Sequence, residues 1–521
     1  MEVPACVDRT LRPARVGDLT TRQVVAYRRV MAVDEPTRPE RGVVAAAAYL
    51  PHWRLDRSAV GAVLGSAQGS GTRSVAGYDE DPLTMAVAAG RRVLAATERR
   101  PDALWFATTA PVYAEKTSAP IAHSALRLDP SVMAADAGPG LRGASAALRS
   151  ALMSAEPATL VLAGDVRCGP AGSADERDGG DGAAALLIGS DDDGDLAAEY
   201  LGGASATGEF LDRWKAPGEL RTHAWEERFG QQRYGELLGS AWAAACKDAG
   251  VDQTEVTAAA LVGMHPRAAA KLSKSLSADG VTVVDSLTAS IGFCGAAHGP
   301  VMLTHLIEQA ATGDVVALAS MADGADVFLF RVTGQARRNG PTVAEDIGSA
   351  HGDVPYARYL QWRGVLPVQP PNRPEPARMS ASAAGRRGEW KYGFVGSRDR
   401  SSGAVHLPPA RVSFDGGAVD DMEPAAMADS TARVITYTID SLAYSPSPPT
   451  IFAVCDFEGG GRLPLELTDV APADVRIGME VEMTFRRINT ADGIANYFWK
   501  AKPASGADDQ TNAEPHTTGG A

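Results

Sequence analysis

From residue 41 onward, short continuous apolar runs alternate with Ala-rich stretches whose apolar residues recur at helical spacing. The runs 43–50, 103–109, 159–164, 183–189, 258–263, 281–285, 314–320 and 326–333 predict buried strands. The stretches 84–98, 117–127, 143–155, 233–249, 267–278 and 298–312 predict helices. Strands alternating with helices predict an α/β layered fold with a largely buried sheet. The pattern runs twice. One half closes on "GDGAAALLIG" and the other on "ADGADVFLFRV", each feeding an apolar strand, which points to an internal duplication. Past residue 390 the pattern turns to β: "RVITYTID", "TIFAVCDF", "RLPLELTDV", "EVEMTFRRI" and "NYFWKAK", spaced by turns, predict a small barrel.

These changes of pattern divide the 521 residues into an N-terminal extension (1–41), two similar halves (42–195 and 196–335), a partly ordered Arg/Pro/Gly/Ala-rich linker (336–390), a hairpin (391–415), a barrel (416–503) and a disordered tail (504–521). Composition narrows the function. A net charge of −14 argues against nucleic acid or an anionic membrane as main partner, yet leaves room for a local basic pocket. Five scattered cysteines without a CxxC pair suit a reducing compartment and offer no metal knuckle. Without an 18-residue apolar run or a signal-like apolar segment, the expectation is a cytoplasmic protein with no membrane span.

The stretch "DAGPGLRGASAAL" (136–148) predicts a strand end, a glycine-rich turn and a packed helix. Such a helix N-terminus suits a nucleophile, because its free N–H groups and dipole stabilise negative charge. Leu141 and Arg142 occupy the turn instead. His265 in "GMHPRA" follows an apolar run and falls at a strand end, where α/β folds gather active-site side chains; the alternative is a structural histidine. Cys294 and His298 in "FCGAAHGP" are four apart, which offers a thiolate–imidazole pair if the stretch is helical, or simply buried small residues. Arg142 offers a clamp for a ligand carboxylate or phosphate, or a salt bridge to Asp136. The run "DVRCGPAGSADERDGGDG", with Asp165, Arg167, Asp175, Glu176 and Asp181, lacks EF-hand spacing and reads as a solvated or dimer-interface loop rather than a metal site.

Taken together, "YLPHWRLD", "DEDPLTMAVAAG", "DAGPGLRGASAAL", "GGDGAAALLIG", "VGMHPRAAAKL" and "SIGFCGAAHGP" resemble the thiolase superfamily, nearest to hydroxymethylglutaryl-CoA synthase and type III β-ketoacyl synthases. "SGAVHLPPARV", "FAVCDFEGGGRLPLELTDV", "VRIGMEVEMTFRRI" and "GIANYFWKAKP" resemble the acyl-CoA-associated OB-fold domain with an N-terminal zinc ribbon. The resemblance implies a five-layered thiolase fold of two similar halves followed by an all-β OB barrel, a homodimer, an acyl-CoA substrate in a pantetheine tunnel, and C–C bond chemistry beside the thioester. A separate thiolase is a further implied partner.

The resemblance places the family's acyl-accepting Cys at Leu141, which cannot attack a thioester. The family's oxyanion-hole Asn falls at Phe293, after Gly292, and its loop Glu at Ala110. His265 matches the family's His and is the expected acid–base group or carbonyl donor. Tyr113 lies on the same loop as Ala110 and is a second acid–base candidate, since related thiolase-fold aldolases of steroid side-chain degradation lack the Cys and pair with an OB-fold partner; otherwise Tyr113 packs. Where the zinc ribbon carries paired Cys, this chain has none between 295 and 454, and His406 alone cannot hold zinc. The expectation is no zinc and no bound cofactor. Together these readings suggest aldol or retro-aldol chemistry on a CoA thioester without an acyl-Cys, or a catalytically inactive acyl-CoA-binding scaffold.

Overall fold

The computed structural model describes residues 40–65, 69–191, 195–334, 337–349 and 351–504. The expected N-terminal extension and disordered tail fall almost wholly outside the described residues.

The apolar runs become a ten-stranded sheet. Its order is Thr282–Val283, Val256–Gly263, Val315–Met321, Gly324–Val332, Ala198–Thr207, Arg41–Tyr49, Asp181–Ser190, Ala158–Val166, Ala103–Ala107, Met133–Asp136. The two five-stranded halves meet where Gly42 and Val43 pair with Glu199 and Ala198. From that junction outward, each half reads antiparallel, antiparallel, parallel, parallel. The duplication inferred from pattern is thus a repeat of topology. Two strands went unpredicted, Met133–Asp136 and Ala198–Thr207 ("AEYLGGASAT"): Ala and Gly dominate both, so neither carries a strong alternation signal.

Side chains alternate between faces and sort into layers. Val161, Leu186, Ile188, Val316 and Leu318 face a central layer that holds the helices Gly143–Leu152 and His298–Gln309. Residues 298–307 of the second helix are all buried, as a helix enclosed between two sheets requires. Leu160, Leu162, Ala185 and Leu187 face outward against the helix Pro82–Ala95. In the other half Ala317, Ala319 and Leu329 face the long helix Glu227–Ala249. The result is helix, sheet, helix, sheet, helix: the five-layered arrangement.

The C-terminal part is a closed barrel in the order Ala432–Asp440, Thr450–Phe457, Arg462–Leu467, Ile494–Pro503, Glu480–Ala491. It packs on the helix Pro82–Ala95, and its Val434, Val481, Phe485 and Trp499 share one core with the body. Residues 343–363 lie within the segment expected to be a partly ordered linker. Here they form helices Val343–Gly348 and Tyr356–Trp362, with Tyr356 and Tyr359 buried, and strand Gly352–Asp353 pairs with Trp53–Asp56. Their aromatic residues supply the apolar face that the local Pro and Gly content masked.

Candidate functional site

The helix Gly143–Leu152 starts in the central layer, and a small pocket lies at its beginning. Leu141, Ala144, Leu148, Val262, Phe293 and Met321 form its walls, and Ser145 and Ser320 supply its hydroxyls. The space left is about 20 Å³, enough for one water. Leu141 and Phe293, where the resemblance expects the nucleophile and the Asn, face the same cavity from the two halves. Phe293 is held there by its backbone: its N–H donates to the Asp178 carbonyl at 2.9 Å, and its carbonyl accepts from Gly180 at 3.1 Å. Gly292 precedes it at φ +78°, and a Cβ there would collide with the Gly179 carbonyl. Only glycine fits.

Arg142 does not reach into this pocket, nor does it pair with Asp136. Its Nε and Nη2 form a fork on Asp326 at 2.7 and 2.9 Å, and Nη1 donates to Thr207 at 2.9 Å. It ties the turn to the second half instead of clamping a ligand. Asp136 accepts the N–H groups of Ser118 and Ala119, each at 2.8 Å, at the start of the helix Ala119–Ala125.

His265 follows the strand Val256–Gly263 and begins the helix Pro266–Ala278. Its Nε2 lies 2.6 Å from Asp212 Oδ2, and its ring packs 4.7 Å from that of Tyr234. The helix Glu227–Ala249 makes room for the pair with Gly230, where a Cβ would stand 2.7 Å from His265 Cε1 and collide with Asp212. The Tyr234 hydroxyl accepts the N–H of Asp323 at 3.2 Å, and Ala322 beside it lines the pocket. Burial pushes the Tyr234 phenol up to about 12. Asp212 and Tyr234 were not singled out from sequence. They lie 53 and 31 residues from His265, and only the fold brings them to it.

Cys294 and His298 do not form a thiolate–imidazole pair. The stretch between them is a short 3-10 turn, Gly295–Ala297, which brings the His298 ring to the backbone of Cys294. Nδ1 accepts the Cys294 N–H at 3.3 Å and Nε2 donates to the Ser286 carbonyl at 3.0 Å, so both ring nitrogens are used in one neutral tautomer. Burial lowers His298 to about 4. Burial, with a smaller push from Asp181, raises the Cys294 thiol to about 12, and the thiol turns to the Gly292 carbonyl at 3.7 Å. Such a thiol is inert.

Tyr113 is turned to the barrel. Its hydroxyl accepts the backbone N–H of Ala495 at 3.0 Å, and its ring packs against the outer core. Ala110 begins the same loop, its N–H donating to Thr108 Oγ1 at 3.1 Å.

The run 165–181 is not a wholly solvated loop: its Asp165, Asp175, Glu176 and Asp181 are all buried. Arg73 pairs with Asp181 at 3.0 Å, Arg363 joins the same carboxylate, and Arg167 pairs with Asp175 at 3.0 Å. Sequence reading missed this because Arg73 and Arg363 come from distant segments. Among the described residues no group of three or more His, Cys, Asp or Glu is placed to hold a metal ion. In the ribbon-like hairpin, Asp399 accepts from Ser401 N–H at 2.8 Å and Ser402 Oγ at 2.9 Å, and His406 Nε2 lies 3.3 Å from Ser413 Oγ. These donors do not fit zinc, and hydrogen bonds hold the turns. Among the described residues no helix is long and apolar enough to cross a membrane.

Comparison with known proteins matches each part separately. Residues 425–486 match the family model "ChsH2, C-terminal OB-fold domain". The body is similar to the hydroxymethylglutaryl-CoA synthase of Methanosphaera stadtmanae, with 25% identity over 344 residues, covering 62% of this chain and 99% of that protein. The C-terminal part is similar to a DUF35 domain-containing scaffold protein of Methanocaldococcus jannaschii, 30% identical over 118 residues, covering 22% of this chain and 83% of that protein. Among solved structures, MvaS in complex with 3-hydroxy-3-methylglutaryl coenzyme A matches with TM-score 0.52 at 18% identity, over 64% of this chain and 93% of that one. The 3-oxoacyl-(acyl carrier protein) synthase III FabH of Pseudomonas aeruginosa matches with TM-score 0.51 at 19% identity, over 57% and 99%. These two establish the fold.

Proposed function

We propose, for a chain that belongs through its barrel to the DUF35 family and whose body is similar to hydroxymethylglutaryl-CoA synthases, that it binds a CoA thioester and makes or breaks a C–C bond beside it without an acyl-enzyme. The observation that carries this reading is a contrast between the pocket and the strand end that continues from its wall residue Val262 to His265. Leu141 and Phe293, where the resemblance expects the nucleophile and the Asn, are apolar walls, while Asp212 and His265 pair at 2.6 Å with Gly230 making room for them. Acyl transfer through the protein requires an activated nucleophile, whereas an aldol step does not.

In the cleavage direction His265 takes the β-hydroxyl proton. The Cα–Cβ bond breaks, the β-carbon leaves as a carbonyl, and the electron pair passes to the thioester enolate. The same proton returns to the α-carbon; the aldol direction reverses each move. Asp212 is a positioning residue that orients the imidazole through the 2.6 Å contact.

The test is intact-protein mass spectrometry of the full chain after incubation with short acyl- and β-hydroxyacyl-CoAs, with the thioesters analysed from the same tube. Expected are no adduct, new or shortened CoA thioesters, and a loss of about 10²–10⁴ in turnover for His265→Ala. Asp212→Asn should lower turnover less and move its pH profile. A covalent adduct overturns the non-covalent reading. A second reading, an acyl-CoA-binding scaffold that serves a separate thiolase, is favoured by the absence of any titratable side chain from the pocket walls and by the scaffold name of the DUF35 relative. It is the outcome if no product forms from any thioester.

A further inference from the structure

Ser320 lies on the strand Val315–Met321, in step with Val316 and Leu318, so its side chain points into the central layer and the pocket. It is 8% exposed, and its Oγ has no hydrogen-bond partner. A buried hydroxyl left unpaired costs about 1–3 kcal/mol. The opposite helix places no side chain against this hydroxyl. Gly299 faces it, and a Cβ there would stand 3.4 Å from Ser320 Oγ. The hydroxyl therefore faces the cavity, inside walls that are otherwise apolar apart from Ser145.

Building on the acyl-CoA reading of this pocket, we infer that Ser320 is a specificity-determining residue. It donates its hydrogen to the thioester carbonyl of a CoA ester whose acyl group is short, of acetyl size. A carbonyl needs a donor, and Ser320 has one to give. Beyond the carbonyl, Leu141, Leu148, Val262, Phe293, Leu318 and Met321 close the space to about 20 Å³. A longer chain would have to push these packed side chains apart, which close packing resists.

The test is calorimetric titration of the full chain with CoA, acetyl-CoA and octanoyl-CoA, comparing the parent with Ser320→Ala and Gly299→Ala. The parent should bind acetyl-CoA more tightly than either CoA or octanoyl-CoA. Ser320→Ala should weaken acetyl-CoA about tenfold and leave CoA unchanged. Its ligand-free melting temperature should equal or exceed the parent's, because an unpaired polar group has been removed. Gly299→Ala keeps the hydroxyl but covers it, and should weaken acetyl-CoA in the same selective way. The inference falls if both variants bind acetyl-CoA like the parent, if they weaken CoA and acetyl-CoA alike, or if the parent prefers octanoyl-CoA. If the parent binds neither CoA nor any thioester, the acyl-CoA reading falls first and this inference with it.

Discussion

Two buried regions of this molecule handle polarity in opposite ways. The pocket at the start of the helix Gly143–Leu152 has no charged side chain on its walls, and the His298 and Cys294 near it are held neutral by burial. The seam between body and barrel is dense with charge. Arg486 of the barrel pairs with Glu80 and Asp469 and lies 3.6 Å from Asp79. Lys500 lies 3.0 Å from Asp79 and also pairs with Glu466. The Tyr497 hydroxyl donates to Asp81 at 2.8 Å. Arg486, Lys500, Asp79 and Glu80 are each at most about one per cent exposed in their side chains. The seam thus spends buried charge on holding two modules in one register. The pocket keeps its hydroxyls uncharged and its walls apolar, as a site for a neutral acyl end needs.

The largest expected effect comes from the seam. Arg486→Met removes the cation shared by Glu80, Asp469 and Asp79 and leaves carboxylates buried without it. The expected cost is about 3–5 kcal/mol, read as a lower melting temperature and faster proteolytic release of the barrel. Adding Glu80→Gln should restore part of the loss, because it removes one stranded charge. If Arg486→Met melts like the parent, the seam is not an ionic lock.

A smaller effect separates the regions by pH. His298 is lowered from 6.5 to about 4 by burial, so the folded state binds its proton less readily than the unfolded chain. Its stabilising contribution is complete above pH 6.5 and is lost as pH falls towards 4, a total of about 3 kcal/mol. Asp79 is also lowered, from 3.8, mainly by Lys500 and Arg486 against the opposing effect of burial, so its contribution is lost only below that value. The His298 contribution should therefore lower the resistance to urea between pH 6.5 and 4, opposed by buried carboxyls that burial raises, Glu308 to about 7 and Glu80 of the seam, so the parent and a His298 variant are compared over that window. His298→Gln offers an acceptor and a donor in the same order and should flatten that slope. His52 and His305, also lowered by burial, should retain a residual one. An unchanged slope would refute the neutral, buried imidazole.

The same contrast explains what was legible in the sequence. Runs such as "TLVLAG" and "DVVALAS" dictate buried strands whatever surrounds them, so the layered body and the five barrel strands could be read locally. The resemblance of "DAGPGLRGASAAL" and "SIGFCGAAHGP" put Leu141 and Phe293 on candidate positions, and the fold brings both to one pocket. "YDEDP" reads locally as a solvated charge run. Its burial depends on Arg486 and Lys500, some four hundred residues later. Asp212 beside His265 and the unpaired Ser320 were hidden for the same reason: a polar residue acquires its role from neighbours that only the tertiary fold supplies. Spacing misled at Cys294 and His298, because a spacing of four meets side chain to side chain only in a regular α-helix, and a 3-10 turn intervenes.

The gentlest perturbation sharpens the pocket side. Leu141 is half-buried and stands just before the helix Gly143–Leu152, whose N-terminal dipole favours an anion. Leu141→Cys should cost only about 1–2 kcal/mol, because the side chain removed is not fully enclosed. Unlike the deeply buried Cys294, a thiol at this turn gains from the helix dipole and becomes more acidic. Incubated with acetyl-CoA, the variant should take up one acetyl group, located by peptide mass spectrometry to residue 141, while the parent takes up none. Phe293, an apolar side chain on the facing wall, offers no donor to the acyl oxygen, so turnover of that adduct should remain slow. An unmodified Leu141→Cys chain that nonetheless binds acetyl-CoA would mean the thioester carbon lies away from this turn, and the acyl end would have to be sought beside His265 and Asp212.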